Sequence, residues 1–269
     1  MGNQPLWVHG STPKDRIMKI AVIGESEPIG SKVVVKLRAG GHDAIAASPK
    51  SGVNTLTGEN LAKAVRGAAV VVDVCNSPNV DDAATLEFFE MSTSHIVDAT
   101  VREGVGHLVA LSVVGSERLT ESAYFRAKAA QEKRISTSAI PYSIVRATQL
   151  FESIERIADE ATYCSTVVLP LVLFQPVAAE DVAAAVSTIA LRPPTMGMVE
   201  VAGPEQFRLN ELVKRDLDAR MDPRLVVGNP NACYLGAEFG ERSLLPTYGA
   251  ELGTTRYEDW SIRSPDCRG

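Results

Sequence analysis

Lys19-Ile-Ala-Val-Ile-Gly-Glu-Ser-Glu-Pro-Ile-Gly30 is the stretch whose reading decides how this chain folds. Ile20 to Ile23 form an unbroken apolar run, the mark of a strand buried on both faces of a parallel sheet. Gly24 ends that run where the chain must turn into a helix beginning near Ile29. Strand, glycine turn and helix in this order open a dinucleotide-binding fold, whose backbone amides and helix N-terminus face a pyrophosphate. Gly24, Ser26, Ile29 and Gly30 are therefore the candidates for that contact, and Glu27 stands where a middle glycine is expected. A carboxylate about 5 Å from a phosphate charge costs roughly 3 kcal/mol at an effective dielectric of about 20, and less if water intervenes. Glu25 adds to the charge, while Lys32, one turn into the helix, is placed to offset it.

The rest of the chain alternates strand and helix. Ser31 to Ala39 reads as a short helix stopped by Gly40 and Gly41, and Asp43 to Ala47 as the second strand. Beyond it come Ser48 and Lys50, a hydroxyl and an ammonium where an acidic residue would grip the ribose of NAD. They suit a 2′-phosphate and so favour NADP, although a polar turn would look the same. A third strand is expected near Val53 to Leu56, then a helix over Glu59 to Arg66, and a fourth strand over Ala68 to Val74, interrupted by Asp73. Asn76 follows at that strand's end, where open α/β sheets place their ligands. Helical spacing runs from Asp82 to Glu103, with Phe88 and Phe89 as core residues; His107 to Leu111 and Tyr142 to Val145 complete the regular strands. This rhythm predicts a doubly wound parallel sheet.

Ser112 ends the fifth predicted strand, and Tyr124-Phe-Arg-Ala-Lys128 lies on the helix after it. Residues four apart share a helix face, so the phenol and the ammonium can enter one site. A positive neighbour lowers a phenol from its ordinary pKa near 10, which assigns Lys128 as the tuner and Tyr124 as the proton donor. Ser112 would hold a substrate carbonyl.

These segments together resemble the atypical short-chain dehydrogenase/reductase superfamily, in its NmrA-like, NAD(P)H-binding branch. The resemblance is carried by Lys19 to Gly30, Asp73-Val-Cys-Asn-Ser-Pro78, Ala110-Leu-Ser-Val-Val-Gly115, Tyr124 to Lys128, Pro141-Tyr-Ser-Ile-Val-Arg-Ala-Thr148, Ala202-Gly-Pro-Glu205 and Tyr257-Glu-Asp-Trp260. It implies a single α/β Rossmann domain, a small C-terminal substrate lobe and an NADP-type cofactor. It also implies Ser112, Tyr124 and Lys128 as the catalytic set, with Asn76 and Lys128 near the nicotinamide and its ribose. Thr55 departs from the acidic residue that relatives place near the adenine. The family also holds redox sensors that bind NADP without turning it over.

Three functions fit: an NADPH-dependent reductase of a small carbonyl or enone, a non-catalytic NADP-binding sensor, and a non-redox cyclase or isomerase. Residues 1–17 lack any period and read as an extension or tag before Met18. The remainder, 18–269, reads as one domain with its core over about 18–150 and 176–203 and its lobe over 151–175 and 204–269.

The net charge of −6, with basic residues scattered singly, argues against nucleic acid as a partner. Four separated cysteines without a paired motif argue against a metal site, and Cys75 is expected in the core. No run is long enough to span a membrane and no secretory signal opens the chain, so the cytoplasm is the default location. A small-molecule substrate is the expected partner, with a homodimer suggested by analogy to the wider superfamily.

Overall fold

The computed structural model of the protein describes residues 17–24, 28–77 and 82–263. Its centre is a seven-stranded parallel sheet in the order β2-β1-β3-β4-β5-β9-β12. Those strands are β1 (Lys19–Ile23), β2 (Asp43–Ala47), β3 (Val70–Asp73), β4 (His107–Val113), β5 (Tyr142–Ala147), β9 (Gly197–Ala202) and β12 (Glu251–Leu252). The helices between them are α1 (Pro28–Ala39), α2 (Leu61–Val65), α3 (Asp82–Arg102), α4 (Ala123–Ser136) and α6 (Ala179–Ala190). This is a Rossmann-type α/β fold.

Both faces of the sheet are covered, which is why its strands read as continuous apolar runs. On β1, Ile20 and Val22 pack with α1 and α6, through Val33, Leu37, Val182 and Val186. Ala21 and Ile23 pack the other way, with Leu61, Ile96, Val97 and Ile135 of α2, α3 and α4. A third cluster, built on Phe151, Phe174, Leu212, Leu217 and Leu244, forms a C-terminal lobe. The lobe contains α5 (Ile154–Glu160), α7 (Leu209–Ala219) and α8 (Tyr257–Arg263). It also holds a three-stranded sheet of β6 (Thr162–Tyr163), β7 (Thr166–Leu169) and β11 (Leu225–Gly228), and a ribbon of β8 (Leu173–Phe174) with β10 (Phe207–Arg208).

Most expected elements form within a residue or two. The strand expected at Val53 to Leu56 does not. After β2 the chain makes a 3-10 turn at Pro49–Ser51 and then a series of turns. Side-chain oxygens take over the backbone donors there: Asn54 Oδ1 accepts from the amides of Leu56 and Thr57 at 2.9 and 3.3 Å. The Asn60 amide ties the stretch back to the Gly52 carbonyl at 2.9 Å. Local side-chain bonding of this kind competes with a ladder, and with Val53 alone well buried there is no apolar face to reward a strand. β2 is consequently the sheet edge. Asn60 itself has φ of 58°, which delays α2 to Leu61. Among the described residues, no helix is long and apolar enough to cross a membrane.

Candidate active site

β2 lies on one side of β1 and β3 on the other, so the strand order reverses between β1 and β3, the place where such sheets open a crevice. Gly24 makes the turn that leaves β1 there. Its φ is +87°, its amide donates to the Ala47 carbonyl at 3.0 Å, and a Cβ there would come within 2.9 Å of the Cys75 nitrogen. Glycine is thus required by the approach of β1's turn to the chain leaving β3. Glu25, Ser26 and Glu27 lie outside the described residues. Lys32, expected to offset those glutamates, is engaged by Glu180 of α6 at 3.4 Å, which it shares with Lys36 at 2.5 Å. These two ammonium groups hold the Glu180 carboxyl below its ordinary range.

A cavity of about 450 Å³ opens at the C-terminal ends of β3, β4 and β5. Of the residues expected from the sequence, Ile29, Asn76, Ser112, Tyr124 and Lys128 line it. Gly24, Gly30, Ser48 and Lys50 are not among its walls. Gly30 is buried in the first turn of α1. Ser48 is buried after β2 with its hydroxyl unpartnered among the described residues, and Lys50 is exposed beside it. Cys75, expected in the core, is half-buried and faces the cavity.

Ser112 is 5% exposed, and its hydroxyl has no hydrogen-bond partner among the described residues. Thr148, directly after β5 and 2% exposed, likewise presents an unpartnered hydroxyl in the cavity wall. Burying a hydroxyl without a partner is costly, so two in one wall mark a place for a ligand's polar atoms. The Gln149 side-chain nitrogen beside them is also unpartnered.

Tyr124 reaches the cavity from the first turn of α4. Burial pushes its phenol up to about 12, and the cation that opposes this is Arg156 of α5. The expected tuning by Lys128 is therefore corrected. Lys128 Nζ donates to the Leu111 carbonyl at 3.2 Å and to Gln131 Oε1 at 3.1 Å, and lies 4.2 Å from the centre of the Phe89 ring. Gln131 Nε2 in turn donates to Asp73 Oδ2 at 3.1 Å, and Asp73 Oδ1 accepts the Cys75 amide at 3.0 Å. Burial raises the Asp73 carboxyl, while the Cys75 amide and the Lys128 charge oppose the rise. Three residues apart, Gln131 and Lys128 share a helix face, and Asp73 had interrupted an otherwise apolar run; together these were the available signals for the network.

Two further groups fix the elements around the cavity. Glu152 accepts from the Ala179 amide at 3.1 and 3.2 Å, capping α6 from outside, and from Trp260 Nε1 at 3.2 Å. Behind α4, Glu132 pairs with Arg146 of β5, and Ser116 donates to the same carboxylate at 2.9 Å. Thr148, Gln149, Arg156 and Tyr234 were not foreseen: Thr148, Gln149 and Tyr234 reach the cavity from connections without periodic pattern, and Arg156 from α5, where helical spacing over Phe151 to Ala161 predicts a helix but not which side chain enters a site.

A family described as NAD(P)H-binding matches residues 29–193. No curated protein sequence matches the chain. Solved structures share its fold. UDP-glucose 4-epimerase of Thermus thermophilus, in complex with NAD, is 18% identical with a TM-score of 0.66, over 85% of this chain and 90% of that one. Bordetella bronchiseptica WbmG, in complex with NAD and UDP, is 15% identical with a TM-score of 0.68, over 92% and 93%. The dTDP-glucose 4,6-dehydratase DesIV of Streptomyces venezuelae, with NAD bound, is 15% identical with a TM-score of 0.67, over 90% and 94%.

Proposed function

Because this chain belongs to the NAD(P)H-binding family of atypical short-chain dehydrogenase/reductases, we propose that it is an NADPH-dependent reductase of a small carbonyl or enone. The observation that carries this reading is the pairing of an unpartnered, buried Ser112 hydroxyl with the Tyr124 phenol in one cavity. When bound, the dinucleotide supplies the hydride. Gly24 allows close backbone approach beside α1, Asn76 and Lys128 border the nicotinamide end, and Ser48 and Lys50 receive the 2′-phosphate. The unpartnered Ser48 hydroxyl suits that assignment.

In this reading the Ser112 hydroxyl orients the carbonyl and Tyr124 gives the proton to its oxygen. A phenol held up at about 12 stays protonated through the neutral range, so it is set to act as an acid rather than a base. Lys128, committed to Leu111, Gln131 and Phe89, serves as a fixed positive charge near the ribose rather than as the agent that lowers the phenol.

Calorimetric titration of NADPH and NADH against the protein and its Glu27→Gly variant tests the reading. Submicromolar NADPH binding to the unaltered protein is expected, with NADH weaker. A large gain confined to Glu27→Gly would identify Glu27 as a block and favour a degenerate site. Absence of binding to both would remove the reductase.

A further inference from the structure

The part of the cavity wall that comes from α5 and the lobe includes Arg156, Glu160, Tyr234 and Leu235 beside Tyr124, and the two phenols and the guanidinium can all donate hydrogen bonds into it. Neither phenol hydroxyl makes a hydrogen bond among the described residues. Arg156 spends one N–H on Glu160 Oε1, at 2.7 Å, in a pair whose side chains are 53% and 36% exposed. A guanidinium carries five N–H donors, so most of its capacity is unspent.

Tyr234 is built into this wall. Its backbone makes an antiparallel bridge with Ala237, N to O distances being 2.9 and 3.2 Å. The turn between them places Leu235 at φ 48°, a conformation a β-carbon disfavours. Such strain is held only where the surroundings impose it. Here the two-residue turn requires it, since Leu235 and Gly236 both take positive φ to close the Tyr234–Ala237 bridge; the Phe239 ring packs 6.0 Å from that of Tyr234 and 5.8 Å from that of Phe125, the neighbour of Tyr124 on α4. The Arg156 charge lies near enough to oppose the burial-driven rise of both phenols.

We propose that the substrate carries a carboxylate close to its reacting carbonyl, and that Arg156 and Tyr234 seat that carboxylate while Tyr124 addresses the carbonyl. The assignment rests on the reductase reading for the second group only. The other ionisable walls are committed: Lys128 to Leu111 and Gln131, Glu152 to Ala179 and Trp260, and Glu160 to Arg156 itself. A carboxylate matches the planar fork of a guanidinium and accepts from a phenol as well. One arginine, already half-neutralised by Glu160, suits a single negative charge better than a phosphate dianion.

The test uses 2-oxo and 4-oxo acids of four to eight carbons, each beside its methyl ester. Binding is measured by calorimetry to the full chain, with and without NADPH, and turnover by NADPH oxidation. The best acid should bind at least about tenfold more tightly than its ester, equivalent to about 1.4 kcal/mol. Arg156→Ala should erase that preference, Tyr234→Phe should weaken it severalfold, and Glu160→Gln, which frees the guanidinium, should strengthen it. The proposal is overturned if no acid binds, if esters bind equally, or if the preference survives Arg156→Ala in a variant with unchanged melting temperature. NADPH binding and reduction of neutral carbonyls without acid preference would remove the carboxylate seat and leave the reductase. Acid preference without NADPH binding would do the reverse.

Discussion

Arg146 of β5 grips Glu132 of α4 through two hydrogen bonds, Nε to Oε1 at 2.9 Å and Nη2 to Oε2 at 2.6 Å, with both side chains under a tenth exposed. Arg146 also reaches Glu117 at 2.6 Å, and these carboxylates hold its guanidinium above its ordinary range. The pair fastens the helix that carries Tyr124 to the centre of the sheet. Removing Glu132 strips Arg146 of its buried partner and leaves the half-exposed Glu117 as its nearest carboxylate. Glu132→Ala is therefore expected to cost about 3 kcal/mol, the low end for a broken buried pair, read from the urea midpoint. Glu132→Leu with Arg146→Met should recover much of that loss; a cost below about 1 kcal/mol for the single variant would contradict the account.

Tyr124→Phe keeps the ring that packs 5.7 Å from Phe125 and removes only the hydroxyl. If the phenol is the proton donor, turnover should fall roughly 10²–10⁴-fold while NADPH affinity stays nearly unchanged. Steady-state kinetics and calorimetry on one preparation check both. Retained turnover would assign the proton to another group.

His107, at the start of β4, is held neutral by burial, which brings its pKa down to about 4, and its Nε2 meets the Ser143 hydroxyl at 2.9 Å. The unfolded chain takes up this proton near pH 6.5 and the folded chain near 4. Stability is then whole above about pH 6.5 and declines as the pH falls towards 4, because the unfolded state binds the proton first. Melting temperatures followed from pH 8 to 4 should show a decline that is shallower in His107→Gln. Parallel curves would exclude His107 as a source of acid sensitivity.

Gly24→Ala asks for a Cβ at φ +87°, within 2.9 Å of the Cys75 nitrogen and 3.0 Å of the Val74 carbonyl carbon. The backbone strain alone is about 1–2 kcal/mol, and the contact can be relieved only by moving the chain leaving β3. A drop of at least several degrees in melting temperature is expected, together with weaker NADPH binding. An unaltered melting curve would show that the contact yields without cost.

The Tyr124-to-Lys128 spacing shows how far local pattern reaches. It correctly brought both residues to one cavity, since four positions on a helix always share a face. It also suggested that the two act on one another, and there it stopped short: the ammonium donates to the Leu111 carbonyl and to Gln131, and Gln131 leads on to Asp73, 58 residues earlier in the chain. The missing strand after β2 fails for a related reason. Val53 to Leu56 has strand-forming residues but no apolar alternation, and Asn54 and Asn60 close turns that such a pattern cannot foresee.

By itself the amino-acid sequence determined the α/β alternation, the two-sided burial of Ile20 to Ile23 and Val70 to Val72, and the turn at Gly24. All of these follow from contacts between near neighbours and from periodicity. Tertiary structure alone decided where Lys128 spends its charge, that Lys32 and Lys36 share Glu180 of α6, and that Arg156 and Tyr234 share a cavity with the phenol of Tyr124. Those outcomes depend on which side chains meet across long loops, and no spacing along the chain records that. The physical cause is that a buried charge or phenol takes its properties from whatever surrounds it in space.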